Sequence, residues 1–229
     1  MKTVVMIAGL ALFSHTAHAE IANIDAAANS MDINKLKQLV VTEHDYSQAY
    51  ANYRLAISAN VLGQPQVAKT ALAQAQATLE LLNSSQANGE NYTLLASVYG
   101  MKIALEPMSA QSFGIEYAKA LANAEQLDPQ NPRLKLVQAM GAYNTPAAYG
   151  GSPQQALELA NQAITLFQAP CDTICWGEAE AYTWRGLAQQ ALGNDTAAIA
   201  DWQQALAVQS DYSWAQFLIR KNTPNDQSQ

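Results

Sequence analysis

Few side chains in this sequence could do covalent or acid–base chemistry. Cys171 and Cys175 stand in Cys171-Asp172-Thr173-Ile174-Cys175, after Pro170 and before Trp176-Gly177. In an oxidising compartment two thiols this close pair, so a disulfide bracing a loop is expected. A redox-active pair ordinarily has two intervening residues at a helix start in a βαβ setting. Here there are three, and no strand pattern surrounds them. His44 lies in Thr42-Glu43-His44-Asp45-Tyr46. A catalytic triad or a zinc site would need partners for it that the chain does not supply in any familiar spacing. Carboxylate pairs need no histidine, but Glu178 and Glu180, like Glu43 and Asp45, are two apart and diverge on a helix. No catalytic residue, metal ligand or cofactor is therefore expected.

The first nineteen residues explain why the inventory is so short. Lys2, the apolar run from Val4 to Phe13, and Ala17-His18-Ala19 before Glu20 have the order of a secretory signal peptide. The run is shorter than the ~20 residues a membrane span requires. Removal of 1–19 takes His15 and His18 with it and changes the net charge from −7 to −8. The expected location is periplasmic or secreted, with no stable membrane insertion. The acidic balance disfavours nucleic acid as a partner.

The elements that would carry these residues are helical. Alanine (43 residues) and glutamine (23) dominate a chain with only 8% aromatic residues, and both favour helices. Periodicity and punctuation predict helices over 33–43, 46–62, 65–82, 90–104, 109–126, 132–143, 153–167, 177–192, 195–208 and 212–221. Pro65, Pro132 and Pro153 suit first turns, where a missing N–H costs nothing. Residues 83–89 read as a polar linker. Residues 21–30 and 223–229 read as disordered.

A spacing recurs along these helices. Ala68/Ala75, Ala156/Ala163 and Ala198/Ala205 are each two turns apart, on one face. Gly63 and Gly193 each stand five residues before the first alanine of their pair. Two copies carry insertions, around Glu106-Pro107-Met108 and in Thr145-Pro146-Ala147-Ala148-Tyr149-Gly150-Gly151. In the second, Tyr149 is expected to pack on its neighbours. Tyr182, Gly186, Gly193, Ala198, Trp202 and Ala205 resemble the series of the tetratricopeptide repeat, a helical hairpin of about 34 residues. Arg185 and Gln189 depart from it. Asn131-Pro132-Arg133 with the Thr-Pro…Tyr-Gly-Gly stretch looks like a variant found in exported bacterial repeat proteins of unassigned role.

The resemblance implies an all-α fold: antiparallel helical hairpins stacked as a short α-solenoid with flanking helices. It spans 20–222, with repeats near 49–82, 89–129, 132–167 and 179–211. It also implies a concave face lined by the first helix of each repeat. That face would carry Tyr50, Tyr53, Asn60, Glu90, Thr93, Lys135, Gln138, Glu180, Thr183 and Gln190. With Lys135 its one cation, it does not suit a clamp for a peptide's terminal carboxylate. The function expected is a non-enzymatic scaffold or adaptor for a protein or peptide partner, self-association included. A small-molecule-binding component associated with a solute transporter is the alternative. A carboxylate-dependent hydrolase comes third.

Overall fold

The recurrent alanines are where helices meet. In the computed structural model, which describes residues 10–171 and 173–223 with side chains from His18 onward, Ala68, Ala75, Ala156, Ala163, Ala198 and Ala205 are all fully buried. A methyl-sized side chain lets two helix backbones approach closely, and larger residues fill the space between layers. Gly186 is the extreme case. A Cβ there would come within 2.5 Å of the Trp202 indole nitrogen.

Among the described residues there are eleven α-helices and no strand. They are α1 (Leu10–Asn29), α2 (Ile33–Thr42), α3 (Asp45–Val61), α4 (Pro65–Gln86), α5 (Gly89–Leu105), α6 (Ala110–Leu127), α7 (Pro132–Asn144), α8 (Pro153–Phe167), α9 (Glu178–Ala191), α10 (Asp195–Val208) and α11 (Ser213–Asn222). Consecutive helices pack as hairpins, α3 with α4, α5 with α6, α7 with α8 and α9 with α10. Their first members, α3, α5, α7 and α9, neighbour one another in order and form an inner layer. The fold is thus an all-α stack of helical hairpins, as expected. Asn88, Asn131 and Ser152 cap α5, α7 and α8, their side chains accepting from backbone N–H groups of the first turn. Pro65, Pro132 and Pro153 open α4, α7 and α8. α11 buries Ala215 and Leu218 against a C-terminal cluster that includes Trp202 and Tyr212, covering the last hairpin.

Several expectations are corrected. Residues 21–29 are not disordered: they complete α1, and Ile21, Ile24, Ala27 and Ala28 are buried in the main core. Their spacing of three, six and seven is a helix stripe, and burying it outweighs the entropy of ordering ten residues. The linker at 83–89 shrinks to Ala87-Asn88, because α4 continues to Gln86. Tyr149 does not pack on its neighbours. It sits at the tip of a short 3-10 turn, 82% exposed. That turn folds back so tightly that a Cβ at Gly151 would collide with the Thr145 carbonyl. Residues 1–9 of the expected signal segment and 224–229 of the expected tail lie outside the described residues.

Candidate ligand-binding site

The inner layer is held together by side chains that reach across it. Arg54 of α3 is buried and forms an ion pair with Glu180 of α9, 126 residues away. Its Nε also lies 3.5 Å from Asp25 Oδ1 of α1. Tyr50 donates its hydroxyl to the same Asp25 oxygen at 2.6 Å. One guanidinium therefore joins α1, α3 and α9. Burial pushes the Asp25 carboxyl above the usual carboxylate range, against the pull of Arg54 and the Tyr50 hydrogen bond. Burial likewise pushes the Tyr46, Tyr50 and Tyr212 phenols well up, so they remain protonated.

Trp176 makes a second tie. Its indole N–H donates to the Tyr46 hydroxyl at 2.9 Å, and its ring stacks on Tyr50 with centroids 5.1 Å apart. The Arg133 guanidinium of α7 lies 5.9 Å from the Trp176 ring centroid and 6.0 Å from that of Phe167. Arg133 is in turn held by Glu90 of α5, Nε donating to both carboxylate oxygens at 2.8 and 2.9 Å. Such forked, charge-assisted bonds fix orientation as well as charge.

This geometry overturns the open concave face. Tyr50, Tyr53, Thr93 and Thr183 are buried, not presented to solvent. Glu90 and Glu180 are engaged by Arg133 and Arg54. Lys135 and Gln138 both bond Glu125, and Gln190 donates to Asn222. Of the set, Asn60 alone is exposed. Side chains of α1, α3 and α9 meet across that part of the face. Arg185 and Gln189 have local roles: Arg185 Nε donates to Asp201 Oδ1 at 3.0 Å across the α9–α10 hairpin, and Gln189 accepts from Asn194. His44 is exposed at the start of α3, bonded to none of the groups just described.

Beside the ties a cleft of about 380 Å³ remains open. Ala22, Asp25 and Ala26 of α1 form one wall, and Phe167, Trp176 and Arg133 the floor. Glu178 and Ala179 at the start of α9, with Val208 at the end of α10 and Gln209 and Asp211 just after it, complete the lining. Gly177 makes the floor possible. It adopts φ 104°, and a Cβ there would press on Leu136 and Phe167. The expected disulfide between Cys171 and Cys175 is present, and both cysteines line the cleft. Replacing both cysteines by serine should cost about 2 kcal/mol, because the loop closed is short. Urea denaturation with and without reductant measures it. Burial also raises the Glu178 carboxyl.

Asp25 gives the protein a pH signature. A carboxyl whose folded pKa is raised holds its proton more tightly folded than unfolded, so its contribution to stability grows as pH falls from neutral toward the ordinary value of 3.8. Glu43 and Glu178 act in the same direction. Asp25→Asn should flatten part of that rise, measured by chemical denaturation between pH 7 and about pH 4.

Sequence reasoning missed a second feature. Tyr143 of α7, Trp184 of α9 and Trp214 of α11 form an edge-to-face series, with centroids 5.5 and 5.2 Å apart, all half-buried. Each is isolated in sequence, and only the stacking of hairpins brings them together.

No protein-family model and no curated protein matches the chain. Among solved structures, the HusA haemophore from Porphyromonas gingivalis superposes with a TM-score of 0.61 at 22% identity, over 81% of this chain and 96% of that one. That likeness shows a shared fold.

Proposed function

We propose that the protein is a non-enzymatic binding protein of the cell envelope, an exported tetratricopeptide-like array that holds a small ligand in the cleft beside Trp176. One observation carries this reading. The part of the inner face expected to receive a peptide is occupied by α1 and crossed by the Arg54 and Trp176 ties, whereas the adjoining cleft is open and its floor is pinned. A site whose walls are fixed before binding spares the ligand the cost of ordering them. The disulfide and the leader-like N-terminus support an oxidising, exported location. The non-enzymatic assignment is supported by the chemistry of the lining, where among the described residues Asp25, Glu178 and Asp211 share the cleft with no serine, threonine, free thiol or imidazole.

The test is native mass spectrometry of protein recovered from the envelope fraction. A non-covalent adduct that disappears in Ala26→Trp, which fills the cleft from an exposed helix position, supports the reading. Absence of any adduct, together with no thermal shift against a broad metabolite panel, overturns it.

A second reading is favoured by the Tyr143–Trp184–Trp214 series. A half-exposed row of aromatic rings suits a peptide partner or a flat aromatic molecule. The haemophore fold makes haem the first probe for that row. Under this reading Trp184→Ala and Trp214→Ala abolish the binding while Ala26→Trp leaves it intact.

A further inference from the structure

Resting on the cleft reading above, we infer that the ligand is an amphipathic organic cation: a protonated amine or quaternary ammonium carried on an apolar or aromatic body. The cavity supplies the first argument. Its lining pairs apolar surface from Ala22, Ala26, Val208 and Phe167 with carboxylates from three separate elements, Asp25, Glu178 and Asp211. The sole cation in the lining, Arg133, is already neutralised by Glu90. Asp25 is engaged by Arg54 and Tyr50, so the charge left for a ligand is the negative charge of Glu178 and Asp211.

The second argument is what those carboxylates lack. Glu178 and Asp211 have no hydrogen-bond or ion-pair partner of their own among the described side chains, unlike Glu90, Glu125, Glu180 and Asp201. Half-buried Glu178 and exposed Asp211 thus line the concavity with their charge uncompensated by another side chain.

The third argument is the aromatic floor. Trp176 and Phe167 already carry a guanidinium within about 6 Å of their centroids. Trp176 already carries Tyr50 and Arg133, so the ring left to meet a ligand is the half-buried Phe167, whose quadrupole favours a cation. A bare metal ion fits poorly. Among the described residues no three His, Cys, Asp or Glu groups gather as a ligand set, and aromatic walls offer no coordinating atom. A volume of about 380 Å³ lies at the lower end of the range for small-molecule sites, roughly 300–1,000 Å³.

A matched series settles the charge class: 1-naphthylmethylamine, 1-naphthylacetamide and 1-naphthylacetate, titrated calorimetrically into the full protein at low salt. The amine should bind at least about tenfold more tightly than the amide, and the acetate not at all. Glu178→Gln with Asp211→Asn should lower amine affinity by about tenfold or more and leave amide affinity unchanged. Among the described residues neither carboxylate bonds another side chain, and burial disfavours the Glu178 charge, so circular dichroism of that double variant should match the parent and its melting temperature should be no lower. Binding of the acetate or the amide in preference to the amine overturns the cation inference and leaves the cleft reading standing. Binding of none overturns the inference. The cleft reading then falls as well only if envelope-derived protein carries no adduct.

Discussion

Arg54→Met should lower stability by about 3–5 kcal/mol, the largest effect expected from any single charged residue in the chain. Methionine keeps most of the volume, so the loss isolates the charge. Without the guanidinium, Glu180 and Asp25 are left close together with no compensating cation, each largely out of solvent. At neutral pH the midpoint of thermal unfolding should fall by roughly 10 °C for a domain of this size. The deficit should shrink as pH drops, because protonation removes the charges that Arg54 neutralises. Arg54→Met combined with Asp25→Asn and Glu180→Gln should recover much of the loss, since replacing every member of a buried ion network is often close to neutral. Equal destabilisation of the single and triple variants would show that packing, not charge, is what Arg54 supplies.

The second large effect belongs to Trp176. Trp176→Ala removes a buried indole and should cost about 3–5 kcal/mol. It takes away the stack on Tyr50, the hydrogen bond to Tyr46 and the floor under Arg133 together. Trp176→Phe separates these contributions. The ring and its stacking remain while the N–H is lost, so the cost should fall to about 1 kcal/mol. Ligand binding in the cleft should survive in the phenylalanine variant and disappear in the alanine one. Denaturation curves paired with calorimetry on the same samples give both quantities. A phenylalanine variant as unstable as the alanine variant would mean that the hydrogen bond to Tyr46 dominates.

The hairpins were legible because their spacing has a simple physical cause. Close helix crossings demand small residues two turns apart, and Ala68/Ala75, Ala156/Ala163 and Ala198/Ala205 meet that demand in plain view. The N-terminal piece was misread because Ile21, Ile24, Ala27 and Ala28 follow directly on a leader-like segment, and a stripe of four positions is a weak signal beside it. The inner-face residues were placed on the right helices but assigned the wrong exposure. Register shows which side of a helix a residue occupies, not what lies over that side. Arg54 meeting Glu180 and Trp176 meeting Tyr46 are encounters across 126 and 130 residues, which no periodicity records. One cue was available. Trp176-Gly177, directly after the disulfide loop, combines the largest apolar side chain with a residue able to turn tightly beneath it.

Open arrays of stacked hairpins ordinarily fray from their ends, each layer leaning only on its neighbours. Here the first and last hairpins are clasped through Arg54, Asp25 and Trp176, so neither end can peel away without breaking charge pairs in the middle. The molecule should therefore melt as a unit, in one sharp transition. It should also fold late, because the clasp cannot close until the last quarter of the chain has arrived.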